Sequence, residues 1–536
     1  MLRHLGHRDK DIQYDWKNDL ESFGGYNLMA DGSGWIKMMK TNTVLYNNVI
    51  PILPETLNQD QYRAFQTIME YYNTPNLGQL RFIVAGTAGS GKSYLINVIR
   101  YTISLSLPDG QSIDDVVPVL AYTGCAAHNI NGSTIHALLK LGLHGENDEL
   151  TPNLLETLQT KCQHMRLIII DEKSMIGQCF FARIERRLSA IFPSRIGVLF
   201  GGVHCVLMGD FAQLPPVGDM SLYAQIQSLQ QQNINKQMLY NRGYFLYQQF
   251  NKFIRLQINM RQAGESNNQK LFREILTHAR NATWTLSDWT TLQTRVLAEL
   301  DNTEKVLFSG AVALMSTRKE VKVYNAKKIL EMDIPVYRCM AKHNAPPSIM
   351  SAIKKLPSET GGDLYPYLLL GIGVRLMITK NLWLQAGIVN GSMGTLKGIV
   401  EGNEADSLPI CILVELESYS GPPFIGLYPT VIPICPFHAH FDYKGHQCTR
   451  IQFPVVLAWG LTIHKSQGLT LKKIIVDLGD KERQSGLTFV ALSRIKHLQD
   501  LAFLHFFPFT RLSCIATHKN TKDRLEEERR LESLAI

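Results

Sequence analysis

Gly86, Thr87, Ala88, Gly89, Ser90, Gly91, Lys92 and Ser93 follow one another without a break. They fit the pattern G-x-x-x-x-G-K-[ST], and their setting suits it. The apolar run Phe82–Ala85 leads in as a buried strand, and Tyr94–Ile99 leads out with helical spacing. Glycines let backbone N–H groups close around phosphates at a helix N-terminus. In that geometry Lys92 reaches the β and γ phosphates, and the Ser93 hydroxyl holds Mg²⁺. An ordinary Gly-rich turn is the competing reading, and the strand-loop-helix order argues against it. The pattern therefore predicts a chain that binds a nucleoside triphosphate.

At 536 residues the chain is too long for one core and suggests two to four domains. Its 45% hydrophobic and 19% charged content is that of a globular protein, not a disordered one. No run has the apolar length to cross a bilayer. Leu368–Ile378 comes nearest, and Arg375 interrupts it. A net charge of +8 favours a polyanionic partner. Nine cysteines without a C-x-x-C pair point to a reduced intracellular compartment. Cys435, His438, His440 and Cys448 fit no zinc spacing and read as incidental residues of a strand-rich stretch. Asp9, Asp11, Asp15 and Asp19 argue against a mitochondrial presequence.

Residues 1–54 read as an accessory segment ending at Pro51 and Pro54. From 55 to 262, strand-like runs alternate with helical patterns, as a parallel α/β sheet requires. The runs are Phe82–Ala85, Val116–Ala121, Leu167–Ile170 and Val206–Met208, with an excursion over about 138–160 broken by Gly142, Gly145 and Pro152. Residues 263–305 are polar and helical. A second α/β set starts at Val306-Leu307-Phe308 and Val312–Met315 and runs to 536. Within it, 390–451 reads as a small β insertion, and the α/β pattern returns at Val455–Ala458 and Ile474–Val476. Asp523–Ile536 reads as a charged, solvated helix that Leu525, Leu531 and Leu534 could dock.

Leu167–Ile170 ends in Asp171 and Glu172. Such a strand delivers Asp171 to the sheet's C-terminal edge, where it can hold Mg²⁺ while Glu172 polarises the attacking water. Val206–Met208 leads into Gly209, Asp210 and Gln213, and a Gln there can sense a γ-phosphate. Phosphoryl transfer also needs positive charge on that phosphate, for which Arg261 and Arg494 are candidates.

Taken in order, these elements resemble a superfamily-one helicase of the Pif-one type, the 5′-to-3′ branch. The resemblance covers roughly Leu57–Ile495. Leu57–Gln61 resembles the adenine-reading Q motif and implies that Gln61 meets the base. Ala121–Ala127 with Gly132–His136 resembles the first DNA-contact motif, and Asp171–Met175 the Walker B element. Phe200-Gly201-Gly202 and Gly209–Val217 resemble the sensor region, which implies a γ-phosphate role for Gln213. Gly373–Met377, Asn381 and Val389–Gly394 match the lead-in to the family's small β-barrel. Ala458–Gly468 is the most distinctive match and implies contact with the strand and the nucleotide, the latter through Gly468. Phe489–Arg494 completes the set. Tyr122, Lys173 and Phe489 depart from the usual Pro, apolar residue and Tyr.

The resemblance implies an α/β fold of two RecA-like P-loop NTPase domains with small insertions, one a small β-barrel. It implies an ATP- and Mg²⁺-dependent DNA helicase that moves 5′ to 3′ on single-stranded DNA and opens duplex junctions. Lys92, Glu172, Gln213, Arg261 and Arg494 would be catalytic, Ser93 and Asp171 would hold the metal, and Thr123, His136, His464 and Lys465 would touch the strand. The expected setting is DNA repair, recombination, telomere maintenance or replication. The expected protein is monomeric and free of membrane, nuclear ahead of mitochondrial. The alternatives are the helicase of a Helitron-like element, an enzyme of this fold acting on RNA, and a non-enzymatic DNA-binding remnant.

Overall fold

The computed structural model describes residues 4–42, 51–142, 148–225, 234–402 and 407–536. Gly145, one of the breakers in the 138–160 excursion, lies outside them. The chain divides into two compact units. One combines residues 1–47 with 317–462, and the other combines 48–316 with 463–536.

The second unit is built on six parallel strands. They are β1 (Arg81–Gly86), β2 (Val119–Ala121), β3 (Ser133–Thr134), β4 (Leu167–Asp171), β5 (His204–Gly209) and β6 (Lys252–Leu256). Their order is β3-β2-β4-β5-β1-β6, and every pairing is parallel. A parallel sheet is covered on both faces, so its strands read as continuous apolar runs rather than alternating ones. All five residues of β4 are buried. The Lys92–Ser104 helix buries Leu95, Ile96, Ile99 and Ile103. The Gln178–Ile191 helix sends Phe181, Ile184 and Leu188 into a cluster with Ile83, Ile168, Leu207 and Phe253. A smaller parallel ladder in the same unit orders Val312–Met315, Ile474–Asp477 and Leu501–Phe503.

Three local readings change. Val116 ends a short helix from Ile113, and the strand starts only after Pro118, at Val119. Val306 and Leu307 belong to the Asn302–Leu307 helix and are exposed, not strand. Asp301 caps that helix by accepting from Glu304 N at 2.7 Å. The C-terminal tail is not solvated. Its helix, Lys519–Glu532, places Leu531 in the main core at 1% exposure and buries Thr521, Arg524 and Glu527.

The first unit is mostly antiparallel. Five strands run in the order Val431–Ile434, Cys411–Leu416, Met393–Val400, Arg375–Ile378 and Val455–Leu457. Val455–Leu457 thus pairs antiparallel with Arg375–Ile378 rather than resuming an α/β pattern. Phe437–Tyr443, His446–Gln452 and Lys342–Asn344 form a separate three-stranded sheet. Both sheets are open, and closure into a barrel is not seen among the described strands. Residues near the N-terminus pack onto this unit. Asp11 accepts from Val336 N at 2.9 Å, and Trp16 meets Tyr337 edge-on at 5.8 Å. Gly398 makes room for Leu20, because a Cβ there would lie 2.7 Å from the leucine Cδ2. In this unit the Cys435 thiol turns to the Gly32 carbonyl, and the His440 ring to Thr449. Among the described residues no helix is long and apolar enough to cross a membrane.

Candidate functional site

The phosphate loop leaves the end of β1 and enters the Lys92–Ser104 helix through Gly91, whose φ of +81° is left-handed. A Cβ on Gly91 would sit 2.2 Å from Gln61 Nε2, and one on Gly89 would sit 2.3 Å from Arg261 Cβ. Glycine is required here because other chain segments close directly on the loop. Lys92 Nζ donates to the carbonyls of Gly86 (2.7 Å) and Thr87 (2.9 Å). Gln61 belongs to a reciprocal capping box with Asn58 at the start of the Gln59–Asn73 helix. Its amide also donates to Ser90 O at 3.3 Å, so its polar ends face the loop and the cap.

At the end of β4, Glu172 adopts φ +54°, a conformation non-glycine residues avoid and that concentrates at functional sites. Its carboxylate accepts from Gln467 Nε2 at 3.3 Å, and the same amide reaches Ser174 Oγ at 3.4 Å. Burial, followed by the neighbouring Asp171 charge, pushes the Glu172 carboxyl above its ordinary value. A raised carboxyl lies closer to the range in which it can accept a proton from water.

Arg261 and Arg494 both reach this region. Asn259 Oδ1 accepts from the backbone N–H of Arg261 (3.0 Å) and Gln262 (3.2 Å), shaping the turn after β6. Met260 N donates to Gly89 O at 2.7 Å and ties that turn to the phosphate loop. Arg261 Nη1 donates to Ser493 O at 2.9 Å. Arg494 is 1% exposed and donates only to neutral acceptors, Val490 O at 2.8 Å and Ser493 Oγ at 2.8 Å among them. Burial, with the Arg261 charge nearby, pushes its guanidinium down to about 9. Among the described residues the hydrogen bonds of both desolvated guanidiniums go to neutral acceptors and the Glu172 charge is the anion that acts on them, so a triphosphate would add the anionic acceptors they can take.

Several buried acceptors also lack a hydrogen-bond partner among the described residues. They are Ser90 Oγ, Asp171 Oδ1, Gln213 Oε1 and Gln467 Oε1. Natively buried polar atoms are nearly always satisfied, so such a set marks a place that a ligand completes. The donor set fits a nucleotide with its divalent cation, with Ser93 and Asp171 as the oxygen ligands a hard cation takes. Gln213, 2% exposed, lies in the loop after β5. Gly486, at φ +90°, brings the Leu487–Leu492 helix against that loop, since a Cβ there would lie 2.5 Å from Ala212 O.

The proposed strand contacts are placed less uniformly. Thr123 caps the Gly124–Asn129 helix by accepting from Ala126 N at 3.3 Å. Asn129 in turn donates to Gly468 O at 3.0 Å, which joins the Thr123 segment to the one carrying His464 and Lys465. His136 stacks on Phe180 at 4.8 Å, and burial, with the Arg183 charge, pushes its pKa down. His464 Nε2 pairs with Gln484 Oε1 at 2.7 Å, and Lys465 is exposed. Sequence reasoning did not single out Gln467, although it stands inside the quoted Ala458–Gly468 run. It named Asp210 without giving it a role and missed Arg280; the two side chains pair at 2.8 Å.

Residues 56–288 match the family model for PIF1-like helicases. The ATP-dependent DNA helicase PIF1 of Xenopus laevis is 26% identical over 493 residues, covering 89% of this chain and 68% of the relative. The human protein of that name is 27% identical over 472 residues, covering 86% of this chain and 62% of the relative. The chain thus spans about two thirds of the length of these curated relatives. The crystal structure of Pif1 helicase from Candida albicans shares the fold at a TM-score of 0.65 and 23% identity, covering 89% of this chain and 99% of that one. Bacteroides Pif1 in complex with ADP-AlF3 and single-stranded DNA does so at 0.62 and 23%, covering 88% and 97%. The ordered motifs and the α/β fold agree with these matches: residues 56–288 match the PIF1-like helicase model, and most of the chain is similar to PIF1 helicases.

Proposed function

We propose that this chain is an ATP-dependent DNA helicase that translocates 5′ to 3′ on single-stranded DNA and opens duplex ahead of it. The observation that carries this reading is the gathering of buried groups around the phosphate loop. Glu172, Gln467, Arg261 and Arg494 approach it, and the acceptors of Ser90, Asp171 and Gln213 stand ready for a partner. Lys92 and the loop amides would hold the β and γ phosphates. Glu172 would take the proton of the attacking water. Arg261 and Arg494 would stabilise charge on the transferred group, and Gln213 would register its presence. A divalent cation held by Ser93 and Asp171 would neutralise phosphate charge. Gln61 and Gly468 would complete the nucleotide site. Thr123, His136, His464 and Lys465 would hold the DNA backbone without reading sequence.

The domain division that goes with this reading has a first RecA-like domain at 55–262, a helical connector at 263–305, and a second RecA-like domain from 306 with its β insertion. An accessory segment would precede them. The acting unit would be a monomer, working in repair, recombination, telomere maintenance or replication. The test is ATPase rate with and without single-stranded DNA, with Lys92→Ala as control, followed by unwinding of duplexes tailed at either end. DNA stimulation lost in Lys92→Ala, with opening only from 5′ tails, supports the motor. DNA binding without hydrolysis leaves a remnant, and stimulation by RNA alone reassigns the substrate.

A further inference from the structure

The C-terminal helix holds the Glu528 carboxylate against Arg280, which grips the residue that opens the Gln213 loop. Asp210, the residue after β5 that opens the Gln213 loop, is 1% exposed. Its Oδ1 accepts from Ala212 N at 3.1 Å and so fixes the turn leading to Gln213. Arg280, near the end of the Asn267–Asn281 helix, grips the same carboxylate through Nε (3.1 Å) and Nη2 (2.8 Å). The other side of that guanidinium meets Glu528 through Nη1 (3.0 Å) and Nη2 (2.9 Å). Arg524 completes the clamp, donating to Glu528 Oε1 and to Arg280 O, each at 2.7 Å. Arg280 is therefore held on both faces, by Asp210 and by Glu528, with no freedom to follow solvent.

The helix that carries Arg280 also reaches the segment that carries Arg494. Gln269 Nε2 donates to Lys496 O at 2.9 Å, and Ala279 packs with Ala212 and Phe489. One helix thus touches the loop of Gln213 and the segment of Arg494, and Glu528 fixes its end.

We propose that Arg280, locked by Glu528 of the C-terminal helix, is a positioning residue that sets the Gln213 loop for phosphoryl transfer. This inference rests on the helicase reading of the site. Bidentate carboxylate–guanidinium pairs are geometrically exacting, so they transmit position and not only charge. A loop displaced by a fraction of an ångström loses transition-state contact while ground-state binding survives.

The test uses the full chain with saturating single-stranded DNA. Wild type and Lys92→Ala come first, and a wild type without DNA-stimulated ATPase overturns the helicase reading before any variant is judged. Glu528→Ala and Arg280→Ala should each lower kcat about tenfold or more, with KM for ATP within about twofold. Affinity for ADP–aluminium fluoride should fall by the same factor as kcat, and affinity for ADP should hold. Combining the two should cost no more than Arg280→Ala alone, since Glu528 acts through Arg280. Arg280→Lys should not rescue. Where Glu528→Ala does not fold, Glu528→Gln keeps the shape and removes the charge, and it should show the same split. A folded variant with wild-type kcat overturns the proposal. So does a parallel loss of ADP and ADP–aluminium fluoride affinity, which would mean general loosening.

Discussion

Gly486→Ala should separate contact from conformation at the joint between Arg494 and Gln213. The new Cβ would stand 2.5 Å from Ala212 O, below the 3.0 Å that such atoms essentially never breach. The obstacle is a backbone carbonyl, not a pliable side-chain tip, so the helix start or the loop must move. Overpacking of this kind costs about 1–3 kcal/mol. Holding alanine at φ +90° adds about 1–2 kcal/mol. Loss of glycine's freedom in the unfolded chain returns about 0.4–1 kcal/mol. The net is a destabilisation of roughly 1–5 kcal/mol. Gly110→Ala is the control, because Gly110 has φ +83° and nothing within 4 Å of its would-be Cβ. It should show the backbone part alone, about 0–1.6 kcal/mol. Urea unfolding followed by tryptophan fluorescence measures both, and Trp284 reports locally because it packs against Ala212 and Phe489. Gly486→Ala should also depress DNA-stimulated ATPase about tenfold or more, while Gly110→Ala leaves it unchanged. Equal stability losses in the two variants would show that the close approach at Ala212 constrains nothing.

Leu531→Ala removes a core side chain that is 1% exposed and should cost about 2–5 kcal/mol, read from the urea midpoint. A loss under about 0.5 kcal/mol would mean that the C-terminal helix is not docked as described. Lys173 is 1% exposed, and burial, opposed by Asp210, pushes its ammonium down to about 7. Its folded pKa lies below the unfolded value, so its destabilising charge is fully present below about pH 7 and relieved as pH rises toward about 10. Lys173→Met should therefore stabilise by about 1–3 kcal/mol at pH 6.5, with the gain fading toward pH 10. A difference that does not change with pH in thermal melts would refute this.

The parts of the site written in contiguous residues were legible in the sequence. The phosphate loop and the Asp171–Glu172 strand end are local geometry, each fixed by a few neighbours. The parallel sheet was legible because double burial leaves continuous apolar runs such as Leu167–Ile170. What escaped was written in pairs far apart. Arg524, Glu527 and Glu528 read as a solvated charged helix because their partners, Arg280 and Tyr247, lie more than two hundred residues away. Val306-Leu307-Phe308 could be strand or helix by periodicity, and the deciding signal was the Asp301 cap just upstream. The family resemblance implies a small β-barrel over about 390–451, and strand pairing, which decides closure, is not a property of any one segment.

Asp11 finds the backbone of Val336 across 325 positions of chain. At about 5–20 residues per second, a ribosome takes roughly 16–65 s to make that stretch. Throughout that interval Leu5, Trp16 and Leu20, all buried in the finished unit, have no surface to cover them. The other unit waits as well, since its core is completed by Leu531. The first unit cannot close until residues 317–462 are made, and the other cannot until 463–536 follow, so the interleaved chain commits both to folding late. During synthesis the early apolar residues are natural clients for a holding chaperone.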